Sequence, residues 1–245
     1  MPDKPSRVAS KPSSKARSAS PPGRRRRGLE QDQLVAAALE LLQEQGVDGI
    51  STRQLAERLG VKSPALYWHV RNKDELLGLV ADAICANMAL PVSELSFRAR
   101  LEQIAWEYRR VLIDYRDATR LFAELAPTGP HRIKLYDAAV GAFRDHGFPP
   151  PEAIAMATFY RNYLLGMISE ESRQMRPSQA RPTVALGIEL AQLGEAADSY
   201  PNLRGAAELL AEIKPDELFR LGLNVLLDGM ECRVAEIARA KKLAR

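Results

Sequence analysis

Apolar residues return every three or four positions along most of this chain, as they do on one face of an α-helix. Between about residues 30 and 45 the pattern consists of Leu34, Ala37, Ala38, Leu41 and Leu42, and Gly46 then interrupts it. No segment shows the sustained alternation of apolar and polar residues that is typical of a strand. The pattern therefore predicts an all-α fold, with further helices near residues 52–59, 63–69, 73–88, 94–115, 117–125, 130–146, 151–175, 203–212 and 216–240.

Two short helices joined by a glycine turn are predicted between residues 51 and 73. Their shared apolar face is interrupted at Gly60 and consists of Leu55, Ala56, Leu59, Val61, Leu66 and Val70. Pro64 suits the first turn of the second helix, where its missing N–H costs no hydrogen bond, and Ser63 can cap that turn. This arrangement is typical of a helix-turn-helix, whose second helix enters the major groove of DNA.

The second of these helices carries three polar-tipped rings, Tyr67, Trp68 and His69, where a surface helix usually carries charged residues. Such rings can donate hydrogen bonds to phosphates and stack on sugars. Arg53, at the start of the first helix, has a planar guanidinium that can reach O6 and N7 of guanine. Each has an alternative role: Arg53 as a solvated surface residue, Trp68 as a packing residue, and His69 as a wedge against the neighbouring helix.

About fifty residues around this motif resemble the DNA-binding domain of the TetR family of bacterial repressors, specifically its tetracycline repressor branch. The resemblance is carried by Ala-Ala-Ala-Leu-Glu-Leu-Leu at residues 36–42, Gly46 to Ile50, Ser51 to Arg53, Leu59-Gly60-Val61, Leu66-Tyr67-Trp68-His69-Val70, Asn72-Lys73 and Leu76-Leu77. The C-terminal part resembles the same branch more weakly, at Arg116-Asp117, Gly141 to Gly147 and Leu221 to Glu231.

The resemblance implies that Arg53 reads bases and that Thr52, Tyr67, Trp68 and Lys73 hold the DNA backbone. Two recognition-helix positions that carry Gln and Thr in the tetracycline repressor are Ser63 and Ala65 here, so a different operator is expected. The predicted DNA-binding residues are Thr52, Arg53, Ser63, Pro64, Ala65, Tyr67, Trp68 and Lys73.

Charge divides the chain into a basic tail and a mildly acidic body. Residues 1–27 hold nine basic residues and one acidic residue, whereas the rest holds 26 basic and 30 acidic residues. The tail has almost nothing to bury and is predicted to be disordered. It is either a solubilising tail or an arm that binds phosphates or a minor groove. The predicted domains are this tail at 1–27, a helix-turn-helix domain at 28–74, and a helical ligand-binding and dimerisation domain at 75–245.

The helices predicted at 151–175 and 216–240 are too apolar for an ordinary surface. They face either a large core or a subunit interface, and the resemblance implies a dimer built on a four-helix bundle. The helix predicted at 73–88 joins the head to the bundle without a linker. It should therefore act as a lever that tilts the head when the bundle moves.

The resemblance also implies a small-molecule cavity in the C-terminal domain. Its polar and metal-facing positions become Ala89, Ile104, Phe122, Leu125 and Ala126 here, and the chain has only three histidines. A magnesium–tetracycline inducer is therefore not expected. The candidate ligand residues are Tyr108, Phe122, Tyr136, Phe143, Arg161 and Met167. The alternative for each of them is a packing role in the core. For Arg161 the alternatives are an ion pair within the protein and a contact with a ligand anion.

The leading hypothesis is a homodimeric repressor that a small-molecule inducer releases from a palindromic DNA operator. The alternative is a constitutive or architectural DNA-binding protein. No metal cluster, phosphate-binding glycine loop or nucleophile motif indicates an enzyme, a metal site or a cofactor. Cys85 and Cys232 are expected to be buried reduced thiols rather than a disulfide. No apolar run reaches the roughly 18 residues of a membrane span, and a cytoplasmic protein is expected.

Overall fold

The computed structural model describes residues 23–175 and 214–243, and within these residues it contains nine α-helices and no strand. The helices are α1 Gly23–Gly49, α2 Thr52–Arg58, α3 Ser63–Leu66, α4 Lys73–Cys85, α5 Phe97–Asp114, α6 Ala118–Glu124, α7 Pro130–Asp145, α8 Pro150–Met175 and α9 Pro215–Leu243. The predicted all-α class is confirmed. The helix predicted at 203–212 lies outside the described residues. No described helix has the length and apolar character that crossing a membrane requires.

The helix boundaries differ from the prediction at both ends of the head. Helix α1 begins at Gly23, so the run from Arg24 to Arg27 is helical and does not belong to a disordered tail. Arginine is a good helix former, and nothing between Gly23 and the apolar repeat breaks the helix. Helix α3 ends at Leu66, but the chain continues in helical turns, with Val70 N–H donating to Leu66 O at 3.0 Å.

Side-chain caps explain where three helices begin. The hydroxyl of Ser51 accepts from Gln54 N–H at the start of α2, at 3.2 Å. Asn72 Oδ1 accepts from Glu75 N–H at 2.8 Å and opens α4. Ser96 caps α5 in the same way. Because each cap satisfies an N–H that the helix leaves free, the boundary between turn and helix is set locally by one polar residue.

Two sequence expectations about burial are wrong. Val61 follows the α2–α3 turn and is 43% exposed, because Gly60 with φ 66° turns the chain outward there. Cys232 is exposed, because it lies on the side of α9 that no other described helix covers. Cys85 is buried as expected, and burial raises the pKa of its thiol to about 12.

Helix α4 is buried in one hydrophobic core that runs from the head into the bundle. Leu76, Val80, Ala81 and Ile84 are each fully buried, and the helix packs against α1 in the head and against α5, α6 and α7 in the bundle. A helix that is buried on several sides cannot shift against the head without disturbing its packing against the bundle. The head and the bundle are therefore mechanically joined through α4.

A second junction joins the end of α1 to the corner between α5 and α6. Asp117 adopts a left-handed φ of 56°, and its carboxylate accepts from Val47 N–H at 3.0 Å. Arg116 donates to the Glu44 carbonyl at 2.7 Å. Gly46, with φ 75°, lies against this carboxylate so closely that a Cβ there would collide with Asp117 Oδ2. The Arg116-Asp117 pair noted in the sequence is thus a contact between head and bundle.

Replacing Gly46 with alanine tests this junction, because it adds both a strained left-handed residue and a collision with Asp117. We expect Gly46→Ala to lower the free energy of unfolding by about 2–4 kcal/mol in urea titrations. Gly60→Ala is the matched control, since Gly60 is also left-handed but nothing lies within 4 Å of its added Cβ. That control should cost only about 1–2 kcal/mol. Equal losses in the two variants would show that the Gly46–Asp117 approach contributes nothing.

Candidate DNA-binding surface and ligand cavity

The end of α3 and the turn that follows it present two rings to solvent, while two aliphatic residues anchor this segment. Leu66 and Val70 are buried in the head, whereas Tyr67 is 58% exposed and Trp68 is 88% exposed. An indole this exposed has no packing role within the described chain, so the alternative reading of Trp68 as a packing residue is ruled out. Exposed tryptophan and tyrosine side chains are typical of surfaces that another molecule covers.

The cations of the head differ in how they are held. Arg58 forms ion pairs with Glu40 and Glu44 on α1, which tie its guanidinium to the head. Arg53 is exposed one helix turn earlier and forms no salt bridge with any described residue. Lys73 is exposed at the first residue of α4, where free N–H groups favour an anion. Arg53 and Lys73 are therefore available to a polyanion.

The remaining predicted DNA contacts lie at the start of α2 and on α3. Pro64 and Ala65 are exposed on α3, and Thr52 and Ser63 are half-buried at the starts of their helices. Two exposed cations that the sequence analysis did not single out, Lys62 and Arg71, flank α3 and its following turn. Their positions directly before and after the recognition helix were a usable signal, since flanking cations contact phosphates in such motifs.

A buried cavity lies in the C-terminal domain, where α4, α5, α6, α7 and α8 meet. It has a volume of about 10 Å³ and is lined by Cys85, Tyr108, Phe122, Pro127, Arg132, Tyr136 and Arg161. A second cavity of about 10 Å³ adjoins it and shares Tyr108, Tyr136 and Arg161 with it. Four predicted ligand residues, Tyr108, Phe122, Tyr136 and Arg161, are thus brought together around one space.

The other two predicted ligand residues lie elsewhere. Phe143 is fully buried in a ring cluster, with its centroid 5.5 Å from Phe97 and 5.3 Å from Phe148. Met167 packs against the core and lines neither cavity. Periodicity alone could not separate these residues from the cavity, because core and cavity residues share the apolar face of a helix.

Arg132 is a lining residue that the sequence analysis missed. It is 4% exposed, and its guanidinium lies 5.0 Å from the Phe122 ring and donates to the carbonyls of Leu125 and Ala126, each at 2.8 Å. It precedes Tyr136 by four residues and therefore lies on the same face of α7. That spacing was the available signal.

The same residue links the cavity to α4. The carboxylate of Asp82, on α4, accepts from the backbone N–H of Arg132 at 2.9 Å and lies 2.9 Å from Nδ1 of His131. It thereby caps α7, which has no side-chain cap of its own. Gly129 is required beside it, since a Cβ there would collide with the Asp82 carboxyl group. A displacement of Arg132 thus acts directly on the helix that joins the head to the bundle.

The charges of the cavity lining come from the two guanidiniums. Burial raises the pKa values of both Cys85 and Tyr108, so the thiol and the phenol are neutral near pH 7. Burial lowers the pKa of Arg132 and the positive charge of Arg161 adds to this effect, whereas Cys85, Tyr108 and the Asp82 carboxylate oppose it. Among residues 23–175 and 214–243 no group of three or more His, Cys, Asp or Glu side chains could hold a metal ion. The lining therefore repels cations.

Family comparisons agree with both parts of this structure. Residues 34–80 match the family model described as bacterial regulatory proteins, tetR family. Residues 90–234 match the model described as tetracyclin repressor-like, C-terminal domain. The chain belongs to the TetR family.

Individual relatives support this assignment over most of the chain. It is 36% identical over 208 residues to the tetracycline repressor protein class A from transposon 1721 of Escherichia coli, covering 84% of this chain and 92% of that protein. A possible TetR family regulator from Streptomyces coelicolor A3(2) superposes with a TM-score of 0.70 at 30% identity, covering 82% of this chain and 98% of that one. ActR of Streptomyces coelicolor, in complex with actinorhodin, has a TM-score of 0.68 at 28% identity, covering 81% and 93% of the two chains.

Proposed function

We propose that this TetR-family protein is a homodimeric transcriptional repressor that leaves a palindromic operator when a small molecule binds the bundle cavity. The observation that carries the proposal is the exposure of Tyr67 and Trp68 directly after α3, together with an exposed Arg53 that forms no salt bridge with a described residue. An exposed indole does not stabilise the fold of the head. In a DNA-binding head, such a ring can contact the sugar–phosphate backbone.

The exposed residues of the head divide into two roles. Thr52, Tyr67, Trp68 and Lys73 hold phosphates and sugars, which fixes the register of the head on DNA. Arg53 reads guanine, because its guanidinium is free to present two donors to O6 and N7. Ser63, Pro64 and Ala65 face the bases with little hydrogen-bonding capacity, since Ala65 can only touch a thymine methyl group.

The proposed dimer uses the exposed apolar side chains of α8 and α9. These helices lie side by side where a Cβ on Gly222 would collide with the Tyr163 hydroxyl. Phe159 on α8 and Leu221 and Val225 on α9 are each more than half exposed. Large exposed apolar residues on two helices that touch indicate a surface that a partner covers, and a second copy of the same surface is the simplest partner.

The proposed inducer acts by preferring one position of α4. A ligand in the cavity contacts Arg132, whose backbone is bound to Asp82 on α4. A ligand shifts the equilibrium between two head positions only by its difference in affinity for them, and this link provides a route for such a difference. The guanidiniums that line the cavity would repel a magnesium chelate, so we propose an inducer of another kind.

Arg53→Ala tests base reading directly. It should weaken binding to the consensus selected from a randomised duplex library by about 1–3 kcal/mol and relax the preference at one base pair per half-site. Arg58→Ala is the matched control, because Arg58 lies on the same helix but is held by Glu40 and Glu44. It should leave the consensus unchanged. If Arg53→Ala weakens all duplexes equally, Arg53 contacts only phosphate.

Val225→Asp tests the dimer, because it places a charge in the proposed apolar interface. We expect a monomer by sedimentation velocity at micromolar concentration and a loss of binding to the selected duplex. Val92→Asp is the control, since Val92 is a similarly exposed valine in the loop before α5. A Val225→Asp protein that remains dimeric would contradict the proposed interface. Strong salt dependence without any sequence preference would instead favour an architectural role.

A further inference from the structure

The cavity concentrates positive charge that no described acidic side chain neutralises by a salt bridge. The guanidinium of Arg132 is buried and has backbone carbonyls as its hydrogen-bond partners. Arg161 donates through Nη2 to Asn162 Oδ1 at 3.2 Å, while its buried Nε has no hydrogen-bond partner. Burying a cation without a counter-charge is unfavourable, and placing two together adds repulsion.

A third arginine in the same bundle, Arg109, has a structural role, and its guanidinium is paired with a buried carboxylate. Arg109 on α5 donates from Nε and Nη2 to the two carboxylate oxygens of Glu171 on α8, at 2.8 and 2.6 Å. Glu171 is buried and fully paired. Helix α8 thus provides a carboxylate, Glu171, to Arg109 on the neighbouring helix α5. It provides none to Arg161, which is part of α8 itself.

We propose that the cavity binds a small aromatic anion, with a carboxylate held by Arg161 and Arg132 and the ring placed against Tyr108, Phe122 and Tyr136. This inference rests on the proposed function, because it names the ligand class of the same cavity. The planar fork of a guanidinium matches a carboxylate with two parallel hydrogen bonds. The three rings provide the apolar faces that an aromatic ligand needs.

The same residues explain how a cavity of this size accepts a ligand. Ligand sites usually measure about 300–1,000 Å³. Each of these cavities measures about 10 Å³, so a ligand enters only where the lining side chains move apart. Tyr108, Tyr136 and Arg161 line both cavities, and Arg161 is held on this side only through Asn162. A carboxylate that draws Arg161 toward Arg132 would open one cavity into the other. The ligand carboxylate then offsets the repulsion between Arg132 and Arg161 and accepts charge-assisted hydrogen bonds from both guanidiniums.

The test compares carboxylates with their neutral amides in isothermal titration calorimetry on the full chain. The probes are benzoate, 2-naphthoate and biphenyl-4-carboxylate, each beside the amide of the same ring system. At least one carboxylate should bind ten or more times as tightly as its amide. Arg161→Gln should remove that preference and leave amide binding unchanged, whereas Arg161→Lys should retain part of it. Arg144→Gln, an identical substitution at an exposed position of α7, should change nothing.

A melting experiment without any probe shows that the variants fold and adds an independent readout. Arg161→Gln removes one of two like charges, so its Tm should equal or exceed that of the wild type. Arg109→Gln breaks a bidentate pair and should lower the Tm. A structural role for Arg161 would instead make the two variants behave alike.

Several results would overturn the inference. These are equal binding of carboxylates and amides, carboxylate binding that survives both Arg161→Gln and Arg132→Gln, or no binding of any of the three carboxylates. DNA binding is measured separately on selected duplexes, so the two proposals fail in different ways. A protein that binds its duplex but no carboxylate refutes the anion inference alone. A protein that binds a carboxylate through Arg161 but no specific duplex refutes the proposed function alone.

Discussion

Helix α4 cannot move against the head without disturbing its packing in the bundle, because one continuous hydrophobic core includes all three. This constraint governs the orientation of the head. Its buried residues fill the space under α1 and also face α5, α6 and α7. The contact of Asp117 with Val47 and Gly46 fixes the far end of α1 to the same bundle. The head therefore has two attachments, and its orientation is set by the bundle rather than by a flexible linker.

Apolar packing and charged groups therefore have separate roles in this protein. Apolar packing joins the head, α4 and the bundle, while the polar groups outside this packing carry the proposed recognition of DNA and ligand. On the head, Arg53 and the rings of α3 remain uncovered; in the bundle, Arg132 and Arg161 remain without a carboxylate partner among the described residues. Asp82 stands between them, since it accepts from the backbone of Arg132 and is part of the helix that follows the head.

The head was predictable from sequence because local rules determine it. The caps Ser51 and Asn72 and the turn at Gly60 act within a few residues, so the helix-turn-helix and its exposed rings follow from spacing. The cavity was only partly predictable. Arg132 lines the cavity because of its contacts with the end of α6 and with α4. Phe143 lies outside the cavity, in a cluster of rings. Both positions depend on residues that are distant in the chain. Cys232 was misjudged because an apolar helix face was assumed to be covered by the chain itself.

The most direct test of the account is the distance between the two heads of a dimer, measured by pulsed electron paramagnetic resonance. A spin label on Glu57→Cys in a Cys232→Ser background reports it, because Glu57 is exposed on α2 and Cys85 is buried. The account predicts one narrow distribution that broadens in Asp82→Ala, while Asp137→Ala, which alters an exposed position of α7, leaves it unchanged. An unchanged distribution in Asp82→Ala, or no distance between subunits at all, would contradict the claim that the bundle sets the position of the heads.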